Sequence, residues 1–294
     1  MSIKKICALL LCFVMALTLV GCKSKAVRET EKLINAIGTV TVESEEAVKA
    51  AEAAYEALSE EDRAEVENYQ TLTDARTALD AAKLEALRQA LLGTWSCDCD
   101  IGPILREALE QQVSELGMSV DDYAIGYQIK MDLTFNEDGT YAFAPNQDSK
   151  TAATDKLSES VIPFVRDMVF HTAVAAVKEQ GLSDADITNW DELADVLGMG
   201  EDEFFQMAYE MTKEDFSKYF VSLVGLSQFA ESLSMEGKYQ AEEGRLCLSS
   251  GKDAEATGDR AVTFSLDNGV MQWTNGTLEL TDPLDYPLTF TKNA

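Results

Sequence analysis

Cysteine is the residue type in this chain whose spacing could support metal chemistry. Beyond residue 22 the chain has Cys97 and Cys99, separated by one residue, and then Cys247. Two thiolates on one face of a strand could bind a soft metal ion, but a structural zinc site needs four ligands. With one further cysteine and a single histidine, His171, the ligands are too few. We predict no metal site.

Strand alternation predicts different environments for the three thiols. Side chains alternate between the two faces of a strand, so Cys97 and Cys99 share a face with Trp95 and should point inward. The register of a later hairpin places Cys247 opposite Gln240 on a polar face, which argues against a disulfide to it. We expect buried Cys97 and Cys99 and an exposed Cys247.

The sequence offers no catalytic residue. His171 follows Met168 by three residues, near the apolar face of a predicted helix, where a packed histidine is expected. No Gly-x-Ser-x-Gly nucleophile motif is present. Four acids could supply oxygen ligands for calcium, but their spacing is not that of an EF-hand loop and fits a solvated helix start. These acids are Asp184, Asp186, Asp191 and Glu192. We predict no enzymatic activity and no cofactor.

Aromatic side chains are the candidates for lining a ligand cavity, because such sites are largely apolar and aromatic. They occupy inward positions of predicted strands and are Trp95, Tyr141, Phe143, Tyr239, Phe264 and Trp273. The alternative is that they fill the core, since small barrels are often filled by their own side chains. The pattern is compatible with both interpretations.

The elements that carry these residues follow an export signal. Lys4 and Lys5 precede an apolar run, and together with a small-residue ending they form a signal peptide over residues 1–21. The run is shorter than the roughly 20 apolar residues of a membrane-spanning helix. Its ending, Leu19-Val20-Gly21-Cys22, resembles the lipobox of bacterial lipoproteins. That resemblance implies cleavage before Cys22 and a diacylglycerol on its thiol. The protein would then be anchored at the extracellular face of the cell membrane.

The charge balance excludes several partners. The chain has 24 Lys and Arg against 52 Asp and Glu, a net charge of −28, which becomes −30 without residues 1–21. Phosphate backbones and anionic lipid headgroups would repel such a chain. We therefore expect no nucleic-acid partner, and membrane attachment only through the lipid on Cys22. A large charge of one sign also keeps copies apart, so we expect a monomer.

Residues 22–91 are predicted to form a small helical bundle. Apolar residues spaced by three and four mark helices over residues 28–37 and 45–58 and a third helix for which Thr73 is the predicted cap. Ser44 and Ser59 are the predicted N-caps. Residues 54–63 (AYEALSEEDR) and 66–69 (VENY) resemble the short helical modules repeated in large exported proteins of anaerobic Gram-positive bacteria. This resemblance implies a spacer or adhesion module.

From residue 92 the apolar residues recur with period two, and turn motifs fix the strand registers. Each turn pairs inward residues of its two strands: Glu137-Asp138-Gly139 pairs Leu133 with Phe143, Glu243-Gly244 pairs Tyr239 with Leu248, Asn268-Gly269 pairs Phe264 with Trp273, and Asn275-Gly276 pairs Trp273 with Leu278. About nine strands are predicted, enough to close an antiparallel barrel of ~8 strands. Helical patterns over residues 160–180, 190–197, 201–211 and 213–233 interrupt this barrel.

Three segments of this region look like the lipocalin-like domains of bacterial surface lipoproteins: LGTW at 92–95, LTFNEDGTY at 133–141 and YPLTFTK at 286–292. The fold class predicted is α+β, with a helical spacer over 22–91 and a lipocalin-like β-barrel over 92–294 that carries a helical insertion at 146–235. The resemblance implies a small apolar ligand inside the barrel. The insertion carries more apolar residues than its own helices need, and from this we hypothesise that it is a lid over the barrel mouth. We expect a non-catalytic binding module. The alternative is a structural or adhesion protein with a filled barrel and an acidic face for a surface protein.

Overall fold

The structure is a computed structural model that describes residues 23–251, 253–278, 280 and 283–293. The predicted signal peptide and Cys22 lie outside the described residues. The chain divides into two compact units, Met1–Ala90 and Leu91–Ala294. The described part confirms the predicted fold class: helices come first, and a closed antiparallel barrel interrupted by helices follows.

The described residues of the first unit form a helical bundle. Its helices are α1 Lys25–Ala36, α2 Glu45–Glu56, α3 Glu60–Ala64 and α4 Tyr69–Leu91, whose last residue belongs to the second unit. Ser59 caps α3 as predicted, because its hydroxyl accepts the Asp62 N–H at 3.1 Å. The bundle core contains Ile34, Val48 and Leu79, none of which is exposed to solvent.

The other helix starts in this unit differ from the predictions. Ser44 precedes α2, but its hydroxyl accepts the Thr41 N–H at 3.0 Å in the preceding turn and caps nothing in α2. The prediction that Thr73 caps the last helix is wrong, since α4 begins at Tyr69 and Thr73 lies inside it. The Tyr69 ring stacks on Tyr55 with centroids 4.3 Å apart, and this packing contact extends the helix by a turn. The spacing of apolar residues in the sequence does not indicate the contact between Tyr55 and Tyr69.

Within the described residues, eight antiparallel strands close a barrel in chain order, with β8 pairing back to β1. The strands are β1 Gly93–Asp100, β2 Gln128–Phe135, β3 Thr140–Pro145, β4 Met235–Glu242, β5 Arg245–Leu248, β6 Ala261–Asp267, β7 Val270–Gly276 and β8 Leu288–Lys292. Helix α5, Gly102–Val113, connects β1 to β2. Because every strand has two neighbours, the barrel exposes no free sheet edge among these strands.

Three of the predicted hairpin registers are confirmed. The strands pair Leu133 with Phe143, Tyr239 with Leu248, and Phe264 with Trp273. The turn glycines take the left-handed conformation that these loops need, with φ of 82° at Gly139, 73° at Gly244 and 78° at Gly269. A positive φ of 47° at Asn268 completes the two-residue turn between β6 and β7.

The predicted turn at Asn275-Gly276 is wrong, and the described residues form eight barrel strands rather than about nine. Both residues lie inside β7, and Trp273 pairs with Leu288 of β8 instead of Leu278. Gly276 is required for a close approach, because a Cβ there would lie 2.5 Å from the Ala261 carbonyl oxygen. The β6–β7 register shifts between Thr263 and Phe264, so an Asn-Gly pair marks a bulged strand here.

Helices occupy the connection between β3 and β4. They are α6 Gln147–Ser160, α7 Ile162–Glu179, α8 Trp190–Leu197, α9 Glu201–Tyr209, α10 Lys213–Val224 and α11 Leu226–Ser232. Helix α6 was not predicted, because only Ala153 and Leu157 of its residues are buried and its apolar pattern is weak. The single helix predicted over 213–233 is wrong, since Gly225 adopts φ 72° and divides it into α10 and α11.

These helices pack on one another, and α6 and α11 also contact the barrel strands β2 and β3. A cluster around Phe170, Trp190 and Phe205 forms a second apolar core among α7 to α9. Among the described helices, no single one has the length and hydropathy to span a membrane. Helices α6 and α7 together pass that test by length and composition, with a bend of 45° between them.

Candidate functional site

The barrel interior holds all the aromatic side chains predicted to line a cavity. Each of them is buried, with exposed fractions from 0 to 9%: Trp95, Tyr141, Phe143, Tyr239, Phe264 and Trp273. Several rings pack on other rings of the interior. Phe290 of β8 lies 4.9 Å from Trp273 and 6.2 Å from Phe143 between centroids, and Phe135 lies 4.8 Å from Tyr239.

The polar ends of these aromatic side chains are mostly engaged. The Tyr141 hydroxyl donates to the Ser249 carbonyl at 2.8 Å, and burial raises the pKa of this phenol. The Trp95 indole N–H donates to the Leu91 carbonyl at 2.7 Å. By contrast, the buried Trp273 indole N–H has no hydrogen-bond acceptor among the described residues.

The thiols of β1 lie in the same interior. Cys97 and Cys99 are buried as predicted, and this burial raises the pKa of Cys97 to about 12 and that of Cys99 to about 11. Such thiols stay protonated at neutral pH and are poor nucleophiles and poor metal ligands. The described part of the chain contains no group of three or more histidine, cysteine or acidic side chains placed to hold a metal ion.

The predicted exposure of Cys247 is wrong, although its pairing with Gln240 is correct. Cys247 is 5% exposed. The loop after β5 is held by side chains of β4 and β5, the two strands that pair at Cys247. Lys238 reaches Glu255 of this loop at 3.0 Å, and Arg245 donates to the Gly258 carbonyl at 3.1 Å. We attribute the burial of Cys247 to this loop, because strand alternation alone would leave the position in solvent.

The remaining predicted candidates have structural environments. His171 is half-buried, with its ring edge-to-face against Phe170 at 5.3 Å. At the start of α8, Asn189 caps the helix by accepting the Glu192 N–H, and the Glu192 carboxylate accepts the Thr188 N–H at 2.7 Å. This hydrogen bond lowers the pKa of Glu192. Both features are those of a capped, solvated helix start.

The structure reveals a pocket that the sequence did not indicate. A cavity of about 280 Å3 lies outside the barrel interior, beside the paired ends of β1 and β2 and against α5 and α6. The side chains and backbone that line it include Asp100, Arg106, Tyr127, Gln128, Ala153 and Lys156. Because Lys156 belongs to the unpredicted helix α6, no sequence spacing brings it near Arg106.

The fold and these sites define a class: a closed eight-stranded antiparallel barrel carrying a helical insertion, preceded by a helical bundle. Comparisons with models of protein families, with curated proteins and with solved structures gave no match for this chain.

Proposed function

We propose that this chain is a lipid-anchored, non-catalytic protein of the bacterial cell surface, in which the barrel is a filled scaffold. The anchor part rests on the sequence Leu19-Val20-Gly21-Cys22 and on the charge of −30 that remains after residues 1–21 are removed. That charge gives the chain no electrostatic means of holding an anionic membrane, so the acyl chains supply the attachment.

Metabolic labelling with an alkyne fatty acid in a Gram-positive host tests the anchor. The full chain should carry the label and sediment with membranes, and Cys22→Ser should lose both properties. Cys12→Ser is the matched control, because it removes a thiol from the apolar run and should leave labelling unchanged. A Cys22→Ser protein that still incorporates the fatty acid would contradict the proposal.

The scaffold part rests on one observation above the others, namely that the candidate ligand-binding rings are buried against neighbouring side chains. Phe290 of β8 packs on Trp273 of the neighbouring strand β7 and on Phe143 of the more distant strand β3. A barrel filled in this way gains its stability from apolar burial and presents its binding surfaces on the outside. The acidic outer surface then faces a protein partner.

A dye-binding titration tests whether the barrel is filled. The full chain should not enhance the fluorescence of an apolar naphthalene dye. Trp273→Ala, which removes a fully buried ring, should create a cavity and gain binding. Leu223→Ala is the control, because Leu223 is 64% exposed on α10 and its truncation opens no interior space. Dye binding by the unaltered chain at one site would contradict a filled barrel.

A second candidate function is the binding of a small apolar ligand inside the barrel, with the insertion as a lid. The observation that favours it is the buried Trp273 N–H, which has no acceptor among the described residues. Buried donors normally find a partner, and a carbonyl oxygen of a ligand would supply one. Native mass spectrometry of the chain extracted from its own membranes tests this: a bound mass that Trp273→Phe weakens would favour the ligand over the filled barrel.

A further inference from the structure

The pocket beside the ends of β1 and β2 differs in charge from the rest of the protein. Across the whole chain, acids outnumber bases by 52 to 24. The charged residues that line this pocket are Arg106, Lys156 and Asp100, so bases are in the majority there. In such an acidic chain, a local excess of positive charge is the feature expected of a site for an anion.

The two cations of the pocket form no ion pair with the part of the chain that the structure describes. Among the described residues, neither Arg106 nor Lys156 takes part in an ion pair within 4.0 Å, although many other lysines and arginines of the chain do. Lys156 is exposed and Arg106 is half-buried, so solvent reaches both groups. Their charges are therefore available to a ligand.

Local hydrogen bonds hold the polar groups of the pocket in place. One guanidinium nitrogen of Arg106 donates to the Ile125 carbonyl at 3.0 Å, which leaves its other N–H groups to the pocket. The Asp100 carboxylate accepts the Gly102 N–H at 2.9 Å. Gly102 fits there because a Cβ would lie 2.9 Å from that same carboxylate oxygen. One oxygen of the acid is thus used locally, while the guanidinium keeps free donors.

The rest of the pocket lining fits the apolar part of a small organic molecule. Ala153 and Tyr127 add apolar atoms to the lining, and the Tyr127 hydroxyl is paired with Thr154 at 3.0 Å. The exposed Gln128 amide adds hydrogen-bond donors. The volume of about 280 Å3 is close to the lower end of the range for small-molecule sites, about 300–1,000 Å3.

We infer that this pocket binds the carboxylate group of a small organic acid, with Arg106 and Lys156 contacting the anion and Tyr127 and Ala153 contacting its apolar part. Arginine and lysine donate charge-assisted hydrogen bonds to carboxylates, and the arginine fork fits that group especially well. This site goes beyond the proposed anchor and scaffold, and it lies outside the barrel interior.

Fluorine NMR on the full chain, purified in a mild detergent, tests the site with 4-fluorobenzoate as the probe. Detergent micelles alone give the background. The probe should broaden saturably with a Kd of about 1 mM, as expected for a ligand of this size. The uncharged 4-fluorobenzamide should show no saturable broadening, because it lacks the anion. Added salt should weaken binding of the benzoate, since the pocket is open to solvent.

Lys156→Gln should raise the Kd for 4-fluorobenzoate by about tenfold, the loss expected for one charge-assisted hydrogen bond. Lys218→Gln is the matched control: it makes the same change at an exposed lysine of α10 outside the pocket and should leave the Kd unchanged. Arg106→Gln should also weaken binding, and an unchanged melting temperature would show that the variant is folded.

Three results would overturn the inference: no saturable broadening with the unaltered chain, equal binding of the benzamide, or equal Kd values for Lys156→Gln and Lys218→Gln. None of these results would affect the proposed anchor or scaffold, because those roles do not use Lys156 or Arg106. Failure of the fatty-acid labelling would in turn not affect the inference about this pocket. The NMR titration needs only the folded second unit within the full chain.

Discussion

Replacing each barrel tryptophan by phenylalanine should separate the effect of lost ring volume from that of the indole N–H. Trp95 and Trp273 are both buried, with exposed fractions of 1% and 0%. They differ at one atom: the Trp95 N–H donates to the Leu91 carbonyl at 2.7 Å, and the Trp273 N–H has no acceptor among the described residues. We expect Trp95→Phe to be the more destabilising change.

The difference between the two variants follows from hydrogen bonding. The substitution removes the same atoms at both sites, so the cavity contribution largely cancels in the comparison. Trp95→Phe leaves a buried carbonyl without its donor, which costs about 1–3 kcal/mol, whereas Trp273→Phe removes an unpaired donor and recovers a similar amount. Trp95→Phe should therefore lower the free energy of unfolding by about 2–6 kcal/mol more than Trp273→Phe.

Urea unfolding followed by tryptophan fluorescence measures this difference. The chain has three tryptophans, Trp95, Trp190 and Trp273, all in the second unit, so each variant keeps two reporters there and none in the helical bundle. The slope with urea should be unchanged, so that the midpoints report stability. Trp190→Phe is the matched control, because its buried N–H is also without an acceptor in the described residues. Equal losses for Trp95→Phe and Trp273→Phe would refute the reasoning.

Three further expectations concern the thiols, the helical bundle and the barrel. Cys247, like the two buried thiols of β1, should resist alkylation at pH 8 in the native protein and react after denaturation. In the bundle, two lysines hold the pKa of Glu45 at about 2, well below 4.5. Because the folded pKa is depressed, this acid contributes stability above about pH 4.5 that is lost as the pH falls towards 2, so Glu45→Gln should flatten the acid loss seen by circular dichroism. Gly276→Ala should destabilise the barrel by about 1–3 kcal/mol in urea unfolding, because its Cβ would meet the Ala261 carbonyl oxygen.

Each of these expectations has a contrary outcome. Rapid native alkylation of Cys247 would show that the loop after β5 does not cover it. A Glu45→Gln protein with the same melting temperature profile as the unaltered chain between pH 5 and 2 would remove the role of that acid. Gly251→Ala is the control for Gly276→Ala, since a Cβ at Gly251 would meet nothing within 4 Å. Equal effects of the two alanines would argue against the close approach.

The hairpin registers were predictable because they depend on local chemistry. A glycine that must adopt a positive φ fixes the turn, and the period-two alternation then decides which residues face inward. The agreement at Gly139, Gly244 and Gly269 follows from these two constraints. The Asn275-Gly276 prediction used the same rule and failed. A glycine is needed in a turn, but it is also needed where two backbones approach closely, and an Asn-Gly pair in the sequence does not distinguish these two situations.

The candidate sites were less predictable than the strands. Alternation placed the aromatic side chains and Cys97 inside the barrel correctly, because it decides which face a residue occupies. It could not show what covers the other face, so Cys247 was placed in solvent. The pocket near Arg106 and Lys156 joins residues 50 positions apart in the chain, on elements with no shared turn or register.

The sequence by itself determined the fold class, three of the hairpin registers and the acidic charge, because these depend on local periodicity, turn residues and composition. Only the tertiary structure decided the number of strands in the closed barrel, the burial of Cys247, the packing of aromatic rings across the interior, and the meeting of Arg106 with Lys156. These features depend on contacts between distant segments, and the free energy of such contacts is set by geometry that no local pattern contains.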